Sequence, residues 1–274
     1  MFTTFKPLII VLLLCTSLLQ AATRIMPLGD SITYDNTHAD AVNPRPAGLR
    51  TAYRSHLWYM LQDAGYAADF VGSLRAGQDV TPPFDPDNEG HPGWTSYDIA
   101  NHVYDFLSTN PADVVLLHIG TNDYSTSVAG VNSILDEIDL FERESGRHVK
   151  VYVAMIIDRQ VHDPVITIFN TRLMELVGRR YKNGDDLTLV DMYHLSHLDR
   201  GADYFENTHP NSNGYRKMAK VWFDALMGPD TVGLYAFPYT VAHKSYVDLN
   251  SIHVDYNTNS VDFIVEVPDD GLTF

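Results

Sequence analysis

Short apolar segments rich in branched residues alternate with segments of helical period along most of this chain, and that alternation restricts the fold more than any other feature. Residues 24–28, 68–72, 113–119, 149–157 and 186–191 read as strands. Between and after them, apolar side chains recur every three or four residues: Tyr53, Leu57, Met60 and Leu61; Ile99, Val103 and Phe106; Val131, Ile134, Leu135 and Ile138; Ile166, Phe169, Leu173 and Leu176; Tyr215, Met218, Trp222 and Leu226. Strands alternating with helices imply an α/β fold, with a five-stranded parallel sheet covered by helices on both faces. Ligands of such sheets bind beyond the carboxyl ends of the strands.

The two ends of the chain have a different texture. Lys6 precedes an apolar run from Pro7 to Leu19, and Gln20-Ala21-Ala22 follows with small residues. The run is too short to span a bilayer, so residues 1–22 are expected to be a secretory signal peptide and the protein to be secreted, extracellular or periplasmic. A lipoprotein would use Cys15, but Leu14 stands where a small residue is needed. Processing removes that cysteine, the only one among 274 residues, so the mature chain relies on its core rather than on disulfides. From Gly228 onward, residues 234–237, 246–254 and 261–267 look like β-structure. Fewer than about fifty residues without cysteine do not readily fold alone. The expected organisation is therefore a leader at 1–22, a catalytic domain at 23–227, and at 228–274 a β-rich extension or the start of a further module. A formal net charge of −16 argues against nucleic acid and anionic membranes as partners.

Four blocks carry chemistry. Gly29-Asp30-Ser31 follows the first strand, and Gly120-Thr121-Asn122-Asp123 follows the third. Gly90-His91-Pro92-Gly93-Trp94-Thr95 lies between them, and Glu206-Asn207-Thr208-His209-Pro210-Asn211 lies far downstream. A serine hydroxyl becomes a nucleophile when a base takes its proton, and the resulting oxyanion needs donors aimed at it. Ser31 and His209 fit the first requirement. Three of the blocks also have a plainer explanation: Ser31 as a helix cap, Gly93 as a turn needing positive φ, Asn122 as a local cap. The pair His194 and His197, with Asp191 and Asp199 nearby, is too loosely spaced for zinc, and no metal is expected. His91 and His118 read as structural groups near the site, with His91 able to line the cleft, and Tyr34 and Trp94 as possible stacking surfaces for a sugar. There is no G-x-S-x-G elbow and no Walker loop.

Together, in this order, the four blocks resemble the SGNH, or GDSL, hydrolase superfamily over residues 24–227. Residues 24–31, Asp69-Phe70-Val71-Gly72-Ser73 and Glu89-Gly90-His91-Pro92-Gly93-Trp94-Thr95 are most similar to carbohydrate esterase family 3. The resemblance implies a flavodoxin-like three-layer αβα sandwich and acyl-ester hydrolysis without a cofactor, commonly deacetylation of xylan or related glycans. It implies Ser31 as nucleophile, His209 as base, and an oxyanion hole from the N–H groups of Ser31 and Gly93 and the amide of Asn122. Asp30, Tyr34, His91 and Trp94 are then expected to contact substrate. One block departs from the pattern: Glu206 stands where the superfamily has aspartate. Asp203, or a Ser-His dyad without a carboxylate, are alternatives to it. The expected function is a monomeric secreted esterase acting on acetylated polysaccharide. A lipase or thioesterase of the same superfamily, or a catalytically weak glycan-binding protein, is the alternative.

Overall fold

A computed structural model describes residues 21–228. The expected leader, apart from Ala21 and Ala22, and the β-rich extension after Gly228 lie outside the described residues.

Five parallel strands form where the apolar segments lie: β1 (Thr23–Gly29), β2 (Ala68–Phe70), β5 (Val114–His118), β6 (Lys150–Ala154) and β7 (Leu187–Val190). Among the described residues the sheet is nevertheless mixed and has seven strands, which corrects the expectation of five parallel ones. The additional pair is β3 (Leu74–Arg75) and β4 (Asp87–Gly90), antiparallel to each other, with β4 parallel to β1. Because β5 occupies one whole edge of β1, β2 and β4 share the other. Thr23, Arg24 and Ile25 pair with β2, while Leu28 and Gly29 pair with Glu89 and Gly90 of β4. The strand β4 escapes sequence reading because it is polar and buried. Asn88 and Glu89 are fully enclosed, and a buried polar group must find hydrogen-bond partners. Asn88 donates to Pro86 O at 3.0 Å and accepts from Gly90 N at 2.9 Å. Glu89 accepts from the Ser73 N–H at 2.5 Å and the Ser73 hydroxyl at 3.0 Å.

The helices follow the apolar periodicities. On one face, α2 (Ala52–Asp63) packs against α8 (Ser212–Met227), and both cover Ile25, Leu116, Tyr152 and Ala154. The alternate side chains Met26, Val115, Leu117, Val151 and Val153 are equally buried on the opposite face. There α3 (Ser96–Ala100) and α4 (Val103–Thr109) pack on α5 (Ala129–Ser145), and α6 (Pro164–Lys182) packs beside β7. Short helices α1 (Ser31–Tyr34) and α7 (Met192–Leu195) follow the carboxyl ends of β1 and β7.

Behind α1 the chain is held by three arginines, of which Arg50 and Arg54 are buried. Arg54 is fully enclosed and donates to the carbonyls of Thr33, Ala76, Pro86 and Arg50 at 2.9–3.2 Å. Burial lowers its pKa to about 10, so it remains charged at neutral pH. Arg45 and Arg50 grip Asp40 at 2.8 and 3.0 Å. Asp40 in turn caps the 3₁₀ turn His38–Ala41 through the Thr37 N–H at 2.8 Å. These bonds fix the loop that brings His38 to the site.

Candidate active site

Parallel pairing places Gly29 beside Gly90 on one side and beside His118 on the other. Ser31, Gly93 and Asn122 follow these residues by two, three and four positions, so all three leave the same carboxyl edge of adjacent strands. Asp30, not Ser31, caps α1: its Oδ1 accepts the Ile32 N–H at 2.9 Å. The serine hydroxyl is left for another partner, and its Oγ lies 2.8 Å from Nε2 of His209.

A tight hairpin presents that histidine. Tyr204 bridges Pro210 in antiparallel fashion, Phe205 N–H donates to His209 O at 2.9 Å, and Asn211 N–H donates to Asp203 O at 2.9 Å. Asn211 then caps α8, accepting from the N–H groups of Asn213 and Gly214 at 2.9 and 3.1 Å. Within the hairpin, Glu206 Oε1 bonds Nδ1 of His209. The same oxygen accepts the His38 N–H at 2.8 Å, a bond that absorbs the longer reach of glutamate. Asp203 is engaged elsewhere, buried against Lys217 Nζ at 2.5 Å, the Asp199 N–H at 2.7 Å and the Asn213 amide. With Glu206 on Nδ1 and the serine on Nε2, the neutral ring carries its proton on Nδ1 and turns a lone pair to Ser31. Burial holds the His209 pKa below the usual histidine value, with the Glu206 carboxylate opposing it, so the ring is neutral at pH 7. Partial burial pushes Glu206 up, but the His38 N–H and His209 outweigh it and hold it below the usual value.

Gly93 has φ +83° and open space where a Cβ would stand, so its dihedral rather than crowding calls for glycine. The Asn122 amide donates one hydrogen to Trp94 O at 2.9 Å, which leaves the second for another acceptor. Asp123 ties the same two loops together, accepting from Ser96 N–H at 2.8 Å and the Ser96 hydroxyl at 2.5 Å.

The profile of the GDSL-like lipase/acylhydrolase family matches residues 28–217. The chain belongs to that family. Among solved structures similar to this chain, a family 3 carbohydrate esterase of Clostridium thermocellum is 30% identical, with TM-score 0.62 over 74% of this chain and 94% of its own. An acetyl esterase variant solved with an acetate ion is 26% identical, with TM-score 0.63 over 74% of this chain and 96% of its own. A multidomain esterase of Ruminococcus flavefaciens is 27% identical over 75% of this chain, and the match spans only 28% of that protein.

In this GDSL hydrolase the other expected site residues are placed as follows. His91 packs beside both Trp94 (centroids 4.1 Å apart) and Phe106 (5.0 Å), and its Nε2 lies 2.8 Å from Glu89. Its ring is thus engaged within the protein, and Trp94 also packs against His102, with centroids 4.8 Å apart. The Tyr34 ring has the Arg50 guanidinium 5.6 Å from its centre. Asp30 is fully enclosed, its Oδ2 has no partner, and burial, with Asp123 nearby, pushes its pKa up to about 7. His118 accepts the Ile157 N–H at 3.3 Å, and burial lowers its pKa to about 4. His194 is bonded to Asp191 at 2.9 Å, and neither His194 nor His197 joins a three-ligand group among the described residues.

Sequence reading missed two residues of this hydrolase. His38 holds Glu206 through its backbone, which no side-chain pattern signals. Arg159 follows the carboxyl end of β6 and donates to Thr208 Oγ1 at 2.8 Å, Thr121 O at 3.0 Å and Asp163 at 3.2 Å. It thereby braces the Asn122 loop against the His209 hairpin, and its guanidinium also sits 5.1 Å from the centre of the exposed Tyr124 ring. Its place just beyond a strand end is the one signal that could have found it.

Proposed function

We propose that this protein is a secreted serine acetylesterase that removes acetyl groups from polysaccharide. The observation that carries the proposal is the continuous relay from Ser31 Oγ through both nitrogens of His209 to Glu206, on the strand edge that also carries Gly93 and Asn122. In the proposed reaction, His209 Nε2 takes the Ser31 proton as Oγ attacks the acetyl carbonyl. The oxyanion is met by the N–H groups of Ser31 and Gly93 and by the second amide hydrogen of Asn122. Glu206 stabilises the imidazolium. Collapse expels the sugar hydroxyl, which takes its proton from Nε2 and leaves acetyl-Ser31. Water, deprotonated by His209, then releases acetate and restores the serine. No step requires a cofactor.

The acetyl and polysaccharide assignments are supported by the similar solved structures, a family 3 carbohydrate esterase and an acetyl esterase variant with an acetate ion. The net charge of −16 favours a neutral glycan over an anionic lipid interface. The leader-like residues 1–22 support secretion, and a monomer with no nucleic-acid or membrane partner is the simplest form of this enzyme. A small acyl pocket excludes longer chains by overlap, which discriminates more strongly than the roughly 1–3 kcal/mol per methylene of a roomy site. Comparison of kcat/KM for acetyl, butyryl and octanoyl esters should fall steeply with chain length, and acetylated xylan should release acetate. Preference for octanoyl esters with no acetate from any glycan would contradict the assignment.

A further inference from the structure

On the side of His209 away from the serine, three metal-capable groups converge. His38 Nδ1 lies 3.4 Å from Glu206 Oε1, the oxygen that also meets His209 Nδ1. One ligand atom from each of His38, Glu206 and His209 falls within 4.8 Å of the other two, and among the described residues no other three such groups meet this closely. The two imidazole rings stand at 87° with centroids 5.2 Å apart, so both can turn a nitrogen to the same carboxylate without stacking face to face. The His38 side chain is 71% exposed and that of Glu206 21%, which opens the group to solvent, while His209 forms its closed wall.

Two imidazoles and a carboxylate are the donor set of a tetrahedral Zn²⁺ with water in the fourth position, and they suit neither Mg²⁺ nor Ca²⁺, which take oxygen. We propose that His38, Glu206 and His209 form an inhibitory zinc site, in which the ion takes the place of the hydrogen bond between His209 Nδ1 and Glu206. The consequence for catalysis follows from the tautomer. Neutral His209 holds its proton on Nδ1, and ligation there moves that proton to Nε2. The nitrogen facing Ser31 Oγ becomes an N–H donor and has no lone pair with which to take the serine proton. The ion sits on the nitrogen turned away from Ser31 and does not itself react, so zinc lowers kcat with little change in KM, and a chelator restores the rate.

Binding of the ion needs only the three side chains, whereas the inhibition rests on the proposed role of His209, and the two are tested separately. Zinc chloride is titrated calorimetrically into the Ser31→Ala protein and into the same protein carrying His38→Ala, which keeps the backbone N–H to Glu206. Other exposed histidines, such as His148 between Glu142 and Asp186, contribute equally to both titrations. The expected difference is one site, weakened at least tenfold by loss of the His38 ring. In parallel, the zinc concentration for half-inhibition of ester hydrolysis should rise at least tenfold in His38→Ala relative to the otherwise native chain. Mg²⁺ and Ca²⁺ at the same concentrations should not inhibit. Equal zinc affinity of the two Ser31→Ala proteins, or equal half-inhibition with and without the His38 ring, overturns the site. A chain that binds zinc through His38 yet hydrolyses no ester keeps the site and removes the proposed function instead.

Discussion

Glu206 favours positive charge on His209 against the burial that keeps the resting ring neutral, and exchanging it alters both the rate and the pH dependence of the proposed reaction. The carboxylate raises the His209 pKa against the lowering effect of burial. Without it, His209 stays neutral to lower pH, so in Glu206→Gln the acid limb of kcat/KM should move to lower pH. The maximal rate should fall about 10²–10⁴-fold, because the imidazolium formed in the transition state loses its partner. Asp203→Asn should leave that limb in place and instead lower Tm, since it removes from a buried position the carboxylate that pairs with the partly exposed Lys217. A pH-rate profile of both variants distinguishes them, and near-native rates in Glu206→Gln would point to a dyad. Asp30 gives a second residue-scale prediction. Its carboxyl is pushed up to about 7, whereas in the unfolded chain it titrates near ~3.9. Between these values the native state holds a proton that the unfolded state has lost, so this group lowers stability as pH rises through the window. Asp30→Asn should therefore add on the order of 1–4 kcal/mol above pH 7 and nothing near pH 4, read by denaturant unfolding at both pH values.

At the scale of elements, what could be read in advance depended on whether an element is defined by apolar burial. The strands β1, β5, β6 and β7 are buried apolar runs, and the amphipathic helices α2, α5, α6 and α8 carry a clear 3.6-residue period, so periodicity finds them. The strand β4 is built from Asp87, Asn88, Glu89 and Gly90, whose partners are side-chain hydrogen bonds that no apolar pattern records. The same limit applied at the site. Ser31, His209, Gly93 and Asn122 were legible because four short blocks keep a recognisable order. The choice between Glu206 and Asp203 turns on a backbone N–H from His38, 168 residues away in the chain, and only the folded loop supplies it. Arg159 was silent for a similar reason, since it works by joining two loops rather than by touching the reacting atoms. Arg159→Ala should lower kcat about 10–100-fold and lower Tm, because the His209 hairpin and the Asn122 loop lose their shared brace. Lysine should rescue it poorly, since one ammonium cannot reproduce a planar fork bonded to Thr208, Thr121 and Asp163. Full rescue by lysine would show that charge alone matters there.

For the molecule as a whole, a parallel sheet brings to one edge groups that are 178 residues apart in the chain, as Ser31 and His209 are. β1, β4 and β5 deliver Ser31, Gly93 and Asn122, and the hairpin before α8 closes the set with His209 and Glu206. The proposed chemistry belongs to the assembled edge and not to any one segment, so its parts should fail together. The direct test is the pair Ser31→Ala and His209→Ala with their double variant, measured as kcat on an acetyl ester, with folding checked by circular dichroism. Each single change should cost several orders of magnitude, and the double should cost no more than the larger single, because the two residues act as one unit. A folded Ser31→Ala protein that turns over the ester at the native rate, or losses that add in the double variant, would contradict the account.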